Sequence, residues 1–273
     1  MKTYSRLLSR CSRAAFSLAV AALAPAASAG NITFPDFSDT AGLTLNGNAA
    51  VVNTIDGDVL RLVPALGGQS GSFFGNTPVD ALQFASSFQF RISNPGGISD
   101  GVEVGADGFC FVIQPISSGV GGAGGGLGYQ GITPSVAVEF DTFTNGEFGD
   151  LSSNHVGVDL NGDVNSVAQV AVVDRLDNAD LWSAWVDYDG VTLRLFIDPA
   201  GGSVRPIDPV IAHDVNIPAV IGQDTAFIGF TAGTGSAWGD HDIVNWNYDS
   251  TVPTPGPATL ATLAGLMGLR RRR

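Results

Sequence analysis

From Gly30 to about Asp249 the chain is a succession of short β-rich runs broken by clusters of Gly, Asn, Asp and Pro. No stretch sustains the apolar period of a helix, and no internal repeat appears. A chain punctuated in this way buries its apolar residues by stacking strands. The expected fold is all-β, a sandwich of antiparallel sheets forming one domain of roughly 220 residues. The runs expected as strands are Val59–Val63, Phe84–Ile92, Gly108–Gln114, Ser135–Asp141, Val167–Val173, Trp182–Asp187, Thr192–Ile197, Ala226–Thr231 and Ile243–Tyr248. In the second of these, Phe84, Phe88, Phe90 and Ile92 share one parity, with Ser86 interrupting, so one strand face is mostly apolar. Asp187-Tyr-Asp-Gly190 reads as the turn of a hairpin.

The two ends read differently. Lys2, Arg6, Arg10 and Arg13 flank or precede an apolar run, Ala14 to Leu23, and Ala27-Ser28-Ala29 offers a small-residue cleavage site. Residues 1–29 are expected to be a secretory signal peptide, whose apolar part is too short to span a bilayer. In residues 250–273, Val252-Pro-Thr-Pro-Gly-Pro257 breaks structure, Ala258 to Leu269 is apolar apart from threonines, and Arg270 to Arg273 close the chain. This arrangement resembles the PEP-CTERM sorting tail of bacteria that export polysaccharide, with Pro253-Thr254-Pro255 where that family has Pro-Glu-Pro. The resemblance implies a short transmembrane helix with its arginines on the cytoplasmic side. It also implies transient anchoring in the inner membrane, cleavage by a sorting protease (exosortase), and transfer to the cell surface or extracellular matrix.

Between these ends lie all 26 acidic residues and five basic ones, Arg61, Arg91, Arg175, Arg194 and Arg205, so the domain carries a net charge near −21 and no lysine. Such a surface repels nucleic acid and anionic lipid and favours divalent cations. Cys11 falls in the leader, so Cys110 is alone and no intrachain disulfide can form. An exported domain without disulfides needs another staple, and bound metal supplies one.

The stretch from Glu139 to His155 fits that need. Val136 to Phe140 reads as a buried strand, on which Glu139 and Asp141 point the same way. Two adjacent carboxylates on an apolar strand repel each other and are costly to desolvate, and a cation removes both costs. Asn145, Asp150 and His155 follow on a loop able to fold back over the strand end. Carboxylate and amide oxygens suit a hard ion such as Ca²⁺, and carboxylates with one imidazole suit a transition ion. A solvated acidic loop is the plain alternative. Asp107, alone, is a turn residue before a strand. The glycine-rich run from Gly119 to Gly128 is not a P-loop, because no lysine follows it.

These segments together resemble the legume (L-type) lectins. That family's metal loop reads Glu-x-Asp-x-aromatic-x-Asn, then Asp, then His, and Glu139, Asp141, Phe143, Asn145, Asp150 and His155 fall at those positions, with Val156-Gly-Val-Asp159 continuing the match. Leu151 stands where the family often has proline, which implies a less rigid loop. The resemblance implies a jelly-roll sandwich. It implies a transition metal (Mn²⁺) held by Glu139, Asp141, Asp150 and His155. It implies calcium held by Asp141, the Phe143 carbonyl, Asn145 and Asp150. Ala106-Asp107-Gly-Phe-Cys-Phe111 is similar to the family's Ala-Asp-Gly-Leu-Ala-Phe, in which the Ala–Asp peptide is cis and the aspartate accepts hydrogen bonds from sugar hydroxyls. Gly125, or Gly126 at an offset of one, would donate a backbone N–H to the sugar, Asn145 an amide N–H, and the Phe143 ring would stack on the pyranose. Ala226 to Trp246 is similar to a further family signature, whose loop from Gly233 to Asp240 would place Ser236, Ala237 and Trp238 as variable contacts.

The implied function is metal-dependent binding of glycans or exopolysaccharide without enzymatic activity. Legume relatives often dimerise through their sheets, so a homodimer is a further expectation. Two other readings remain open. A jelly-roll glycosidase places Glu-x-Asp-x-x-Glu on one strand, whereas this chain has Thr144 at the last position. A structural matrix or adhesin module would keep the fold without binding sugar. His241-Asp242 is read as a structural histidine at a strand start rather than a second metal site or catalytic dyad, and His213 as a loop residue.

Overall fold

The computed structural model describes residues 30–251. The expected signal peptide and nearly all of the expected sorting tail lie outside the described residues. Among those described, no helix is long and apolar enough to cross a membrane.

The first strands in chain order are β1 (Asn31–Phe34), β2 (Leu43–Gly47), β3 (Ala50–Thr54), β4 (Gly57–Val63), β5 (Ser70–Gly75), β6 (Val79–Asp80), β7 (Phe84–Gly97) and β8 (Gly108–Gln114). They are followed by β9 (Val136–Asp141), β10 (His155–Leu160), β11 (Asp163–Ala171), β12 (Trp182–Tyr188), β13 (Thr192–Asp198), β14 (Ile211–Asp214), β15 (Thr225–Gly233) and β16 (Ala237–Asp249). One short helix, α1 (Ile217–Ile221), precedes β15.

The strands form two antiparallel sheets. The back sheet runs β14-β13-β12-β7-β16-β4-β3, with β1 also on β16. The front sheet runs β11-β10-β9-β8-β15-β5-β2, with β6 also on β15. This is the expected antiparallel sandwich. Alternation along β7 aims Phe84, Phe88, Phe90 and Ile92 into the space between the sheets. The Phe88 ring meets those of Phe90, Phe109, Phe111, Phe140 and Phe230, drawn from both sheets. Ser86, the polar interruption on that face, is satisfied there. Its hydroxyl donates to the Asn247 carbonyl at 2.9 Å and accepts from the Trp246 indole at 3.1 Å.

The front sheet is covered on its other face too. The segment between β8 and β9 folds back across it, and Leu127, Tyr129 and Ile132 pack with Phe74, Cys110, Val112, Ala137 and Val164 in a second core. Cover on both faces leaves every residue of β8 and β9 buried, which is why these strands read as continuous apolar runs. The same cover carries the glycine-rich run to the end of β8 where Asp107 lies.

The structure adds strands that the sequence pattern does not show. β10 and β11 are a hairpin whose turn residues, Asn161 and Gly162, have φ of 59° and 73°, the Asn-Gly signature of a two-residue connection. The run expected at Val167–Val173 therefore starts earlier, at Asp163, and ends at Ala171. β5 lacks an apolar period because it must come close to its neighbours: a side chain at Gly71 would stand 2.0 Å from the Leu62 carbonyl oxygen. His213 lies on β14 and not in a loop. The turn after β12 is as expected, with the Asp189 carboxylate accepting from the N–H groups of Val191 and Thr192 at 3.0 and 2.8 Å.

Because one ring at Phe88 ties both sheets together, Phe88→Ala is expected to destabilise the fold by about 3–5 kcal/mol in denaturant unfolding. An effect below about 1 kcal/mol would show that the two sheets are held elsewhere.

Candidate functional site

Strand register assembles the site. β9 pairs with β10 so that His155 lies opposite Asp141 and Gly157 opposite Glu139, and it pairs with β8 so that Gly108 lies opposite Asp141. With Val138 and Phe140 turned into the core, Glu139 and Asp141 face outward beneath the covering segment. Asp107, Glu139 and Asp141 are only 4%, 2% and 3% exposed.

The first group is an acid–imidazole cluster. One carboxylate oxygen each from Asp141 and Asp150 and a ring nitrogen of His155 lie within 4.8 Å of one another. The His155 Nε2 is 3.2 Å from Glu139 Oε1, and its Nδ1 is 2.9 Å from the Ser152 carbonyl oxygen. A carbonyl only accepts, so Nδ1 carries the proton there, and Nε2 turns its lone pair toward the carboxylates when the ring is neutral. Burial alone lowers the affinity of His155 for a proton, yet Glu139 and Asp150 more than offset it and the pKa rises. Burial, then the charges of Glu139 and Asp150, push Asp141 well above the usual carboxylate range, against the Phe143 N–H that it accepts at 2.8 Å. Burial pushes Asp150 up to about 6, opposed by the Asn145 N–H and by His155 and aided by Glu139. Without a cation both carboxyls bind protons more tightly than usual, so the donor set fits a divalent ion that would take the protons' place.

The second group lies beside the first. Burial pushes the Asp107 carboxyl up to about 7, with the Gly235 backbone opposing and the Asp150 charge adding to the rise. Its Oδ2, and the Oδ1 of Asn145, are buried without any hydrogen-bond partner. Buried acceptors left in that state each cost about 1–3 kcal/mol, so both call for a ligand. The Ala106–Asp107 peptide is cis, as the resemblance implies. Glycines build the surroundings. A side chain at Gly125 would meet Asn145 Oδ1 at 2.4 Å, and one at Gly235 would meet Asp107 Oδ2 at 3.3 Å. Gly124 and Gly126 N–H groups bond to Thr234 and Ala123, whereas the Gly125 N–H has no acceptor among the described residues. Gly126 is turned away, against Gln130. Of the two glycines left open by sequence, Gly125 is the one beside Asn145. Phe143 lies two residues after Asp141 and is half-buried on the same loop.

The loop between β9 and β10 is braced by groups the sequence does not announce. Arg175 donates to the Thr142 carbonyl at 3.2 Å and the Ser153 carbonyl at 3.0 Å, clamping both ends, and pairs with Asp177 at 2.8 Å. Asp100 accepts from the Thr144 N–H at 3.1 Å. The Gln169 amide accepts from the Leu151 N–H at 2.7 Å and donates to the Gly149 carbonyl at 3.0 Å. A proline at 151 would lack that N–H, so this chain holds its loop by a hydrogen bond where the resembled family uses a ring. Behind Glu139, Ser166 Oγ lies 2.5 Å from Glu139 Oε1 and 2.7 Å from Asp159 Oδ1. Gly157 permits this approach, since a side chain there would stand 2.0 Å from Ser166 Oγ.

Comparison with known proteins follows from this geometry. The family model described as "Legume lectin domain" matches residues 29–263. The chain belongs to the legume lectin family. The L-type lectin-domain containing receptor kinase VIII.1 of Arabidopsis thaliana is 32% identical over 213 residues, 76% of this chain and 28% of that protein. The chain thus spans less than a third of that kinase's length. Among solved structures, a Bauhinia forficata lectin in complex with GalNAc is 26% identical, with a TM-score of 0.68 over 83% of this chain and 100% of that one. The metal-free lectin I-B4 of Griffonia simplicifolia is 25% identical, with a TM-score of 0.66 over 81% of this chain and 98% of that one.

Within this legume lectin fold, one expected group of contacts is misplaced. The segment from Gly233 to Asp240 is not a long loop: β15 ends at Gly233 and β16 begins at Ala237. Ala237 is a buried strand residue paired with Gly97. The Trp238 ring packs over Gly67, Gly96 and Gly97. Ser236 is exposed at the short turn, and Gly235 is the residue lying against Asp107. The resemblance put these residues forward by their place in the family's variable loop, whereas here the turn is short and approaches Asp107 through Gly235. His241 and Asp242 also separate. His241 is fully buried, with Nδ1 3.0 Å from the Gly239 carbonyl oxygen, and burial lowers its pKa to about 4. Asp242 turns the other way, to Arg61 at 2.7 Å.

Two outcomes are expected. Gly125→Ala should displace Asn145 and weaken calcium binding by about 10–100-fold, read by calorimetric titration, with the far-ultraviolet spectrum unchanged; unaltered affinity would place Asn145 outside the ion's ligands. In chelator, the raised pKa of Asp107 (about 7) and of Asp150 (about 6) means that the folded chain holds protons which the unfolded chain releases near pH 4. Stability should therefore fall between about pH 4 and pH 7. Saturating Ca²⁺ and Mn²⁺ should flatten or reverse that slope in thermal melts, because ions favour the ionised carboxylates. A slope unaffected by metal would detach these acids from ion binding.

Proposed function

We propose that the domain is a metal-dependent carbohydrate-binding module in which Asp107, the Gly125 N–H, Asn145 and the Phe143 ring receive one saccharide unit. The observation that carries this reading is the pair of buried, unpartnered oxygens, Asp107 Oδ2 and Asn145 Oδ1, set beside the acid–imidazole cluster. Asp141, Asn145, Asp150 and the Phe143 carbonyl would hold calcium, and Glu139, Asp141, Asp150 and His155 would hold a transition ion such as Mn²⁺. Bound ions would neutralise the crowded carboxylates and fix the loop. Asn145 then offers its amide N–H groups outward, and an ionised Asp107 accepts from two hydroxyls. A ring, two orienting polar side chains and one backbone donor are the usual composition of a site for a polar ligand with an apolar face.

The lectin domains of the relatives support carbohydrate binding, and the Bauhinia forficata structure is described as a complex with GalNAc. Export by the signal peptide, transient anchoring through the tail, release by a sorting protease, and action at the cell surface or in an exopolysaccharide matrix complete the proposal. The acidic charge, near −21 in residues 30–251, suits a neutral glycan better than an anionic one.

A glycan array probed with and without chelator tests the reading. Binding in Ca²⁺ and Mn²⁺ that disappears in chelator is the expected result, and no binding in either condition points to a structural module. Asp107→Ala should abolish sugar binding while leaving ion affinity and melting temperature near those of the parent. Asp141→Ala should lose ion and sugar binding together. An Asp141→Ala protein that still binds sugar normally in chelator would end the proposal.

A further inference from the structure

A second concave site lies on the outer face of the back sheet, on the opposite side of the sandwich. It is a cleft of about 220 Å³ whose lining includes Ser87, Gln89, Ser183, Trp185, Ser203 and Asn245. Alternation on β12 sends Trp182, Ala184 and Val186 into the core, so Trp185 points out and stays partly exposed, while Trp182 and Trp246 are 1% exposed. Register sets Asn245, Gln89 and Ser183 in one row across β16, β7 and β12, and Ser87 beside Trp185 in the next.

The polar row is fixed by its own bonds. The Asn245 amide donates to Gln89 Oε1 at 2.6 Å, and Asn245 Oδ1 accepts from the Gln89 backbone N–H at 3.2 Å. The Gln89 amide donates to Ser183 Oγ at 3.2 Å and to the Gly201 carbonyl at 2.8 Å. That last bond draws the turn after β13 over the sheet to form the cleft's wall, where the Gly202 N–H donates to Asp198 at 2.9 Å. The amides are thus held in one orientation before any ligand arrives, which removes an ordering cost from binding.

Two features choose the occupant. No ionisable side chain lines the cleft, although the chain carries 26 acidic residues. A partly exposed indole beside oriented amides and serine hydroxyls matches the apolar face and hydroxyl edge of a pyranose. A second copy of the chain fits less well. Sheet-to-sheet contact needs a flat face, and here the segment after β13 lies across it, with the Arg205 guanidinium 4.3 Å over the Phe196 ring and paired with Asp187.

We propose that this cleft is a second saccharide subsite, taking a neutral pyranose unit without any metal ion. With the site at Asp107 it would make a single chain divalent, able to bridge two polysaccharide strands. The bridging rests on the reading of the first site; the cleft itself does not.

The test is a titration of the full chain, labelled with ¹⁵N at tryptophan, with methyl glycosides of neutral hexoses and N-acetylhexosamines and their oligomers. It is done in chelator, which silences the first site. A saturable shift of the Trp185 indole signal, with Trp182 and Trp246 unmoved, is the expected result. Trp185→Ala and Asn245→Ala should weaken that binding by about tenfold or more, the scale of one lost aromatic contact or bond, and Asp107→Ala should leave it unchanged. Calcium-dependent binding should show the reverse dependence, being lost in Asp107→Ala and kept in Trp185→Ala. Failure of the first site would therefore appear in one arm and failure of the cleft in the other. The proposal is overturned if no sugar moves Trp185 in chelator. It is also overturned if Trp185→Ala binds as the parent does, or if the Trp185 signal shifts with protein concentration alone and self-association is lost in Trp185→Ala.

Discussion

Crowding of acidic side chains at low exposure is the constraint from which the rest of this molecule follows. Glu139, Asp141 and Asp107 are nearly inaccessible, they stand near Asp150, and one imidazole is the cationic partner available within the cluster. Left to itself, such a group gives up its protons less readily than free carboxyls do, as the raised pKa values of Asp107, Asp141 and Asp150 indicate. A divalent ion would exchange those protons for coordination and free the remaining lone pairs and N–H groups for a ligand. In the proposed function, ion binding, loop order and sugar recognition would then be parts of one electrostatic balance.

The fold makes that crowding tolerable by anchoring it to rigid elements. Glu139 and Asp141 belong to a central strand paired on both sides, and His155 starts the next. The loop joining them is clamped at both ends by Arg175 and braced in the middle by Gln169. Behind Glu139, Ser166 contacts two carboxyls. One hydroxyl hydrogen cannot serve both, so one of the acids carries a proton, and burial raises Asp159 well above its usual range. The supporting shell therefore adjusts its own charge instead of adding another anion to the cluster.

Glycine decides how close the parts come. Gly125 admits Asn145, Gly157 admits Ser166 to Glu139, and Gly235 brings a short turn against Asp107. In each case the functional effect of the residue is a missing Cβ, so a reading by side-chain chemistry passes over it. This explains both the choice between Gly125 and Gly126 and the misplacement of Ala237 and Trp238.

The sequence by itself determined the class of fold and picked out the candidate ion ligands, because both are local patterns. Parity along Phe84–Ile92 fixes an inner face, and the spacing from Glu139 to His155 lies within one strand, one loop and the first residue of the next strand. It also separated the arginine-poor acidic domain from its basic ends. Only the tertiary structure decided what lies across sheets and loops. It set Arg175 on the loop between β9 and β10, Gly235 against Asp107, His241 and Asp242 on opposite faces of one strand, and Asn245 in line with Gln89 and Ser183 in the row next to Trp185. These meetings join residues far apart in the chain, through register and close backbone approach. A one-dimensional pattern carries periodicity and spacing, and it carries no information about which strand lies beside which.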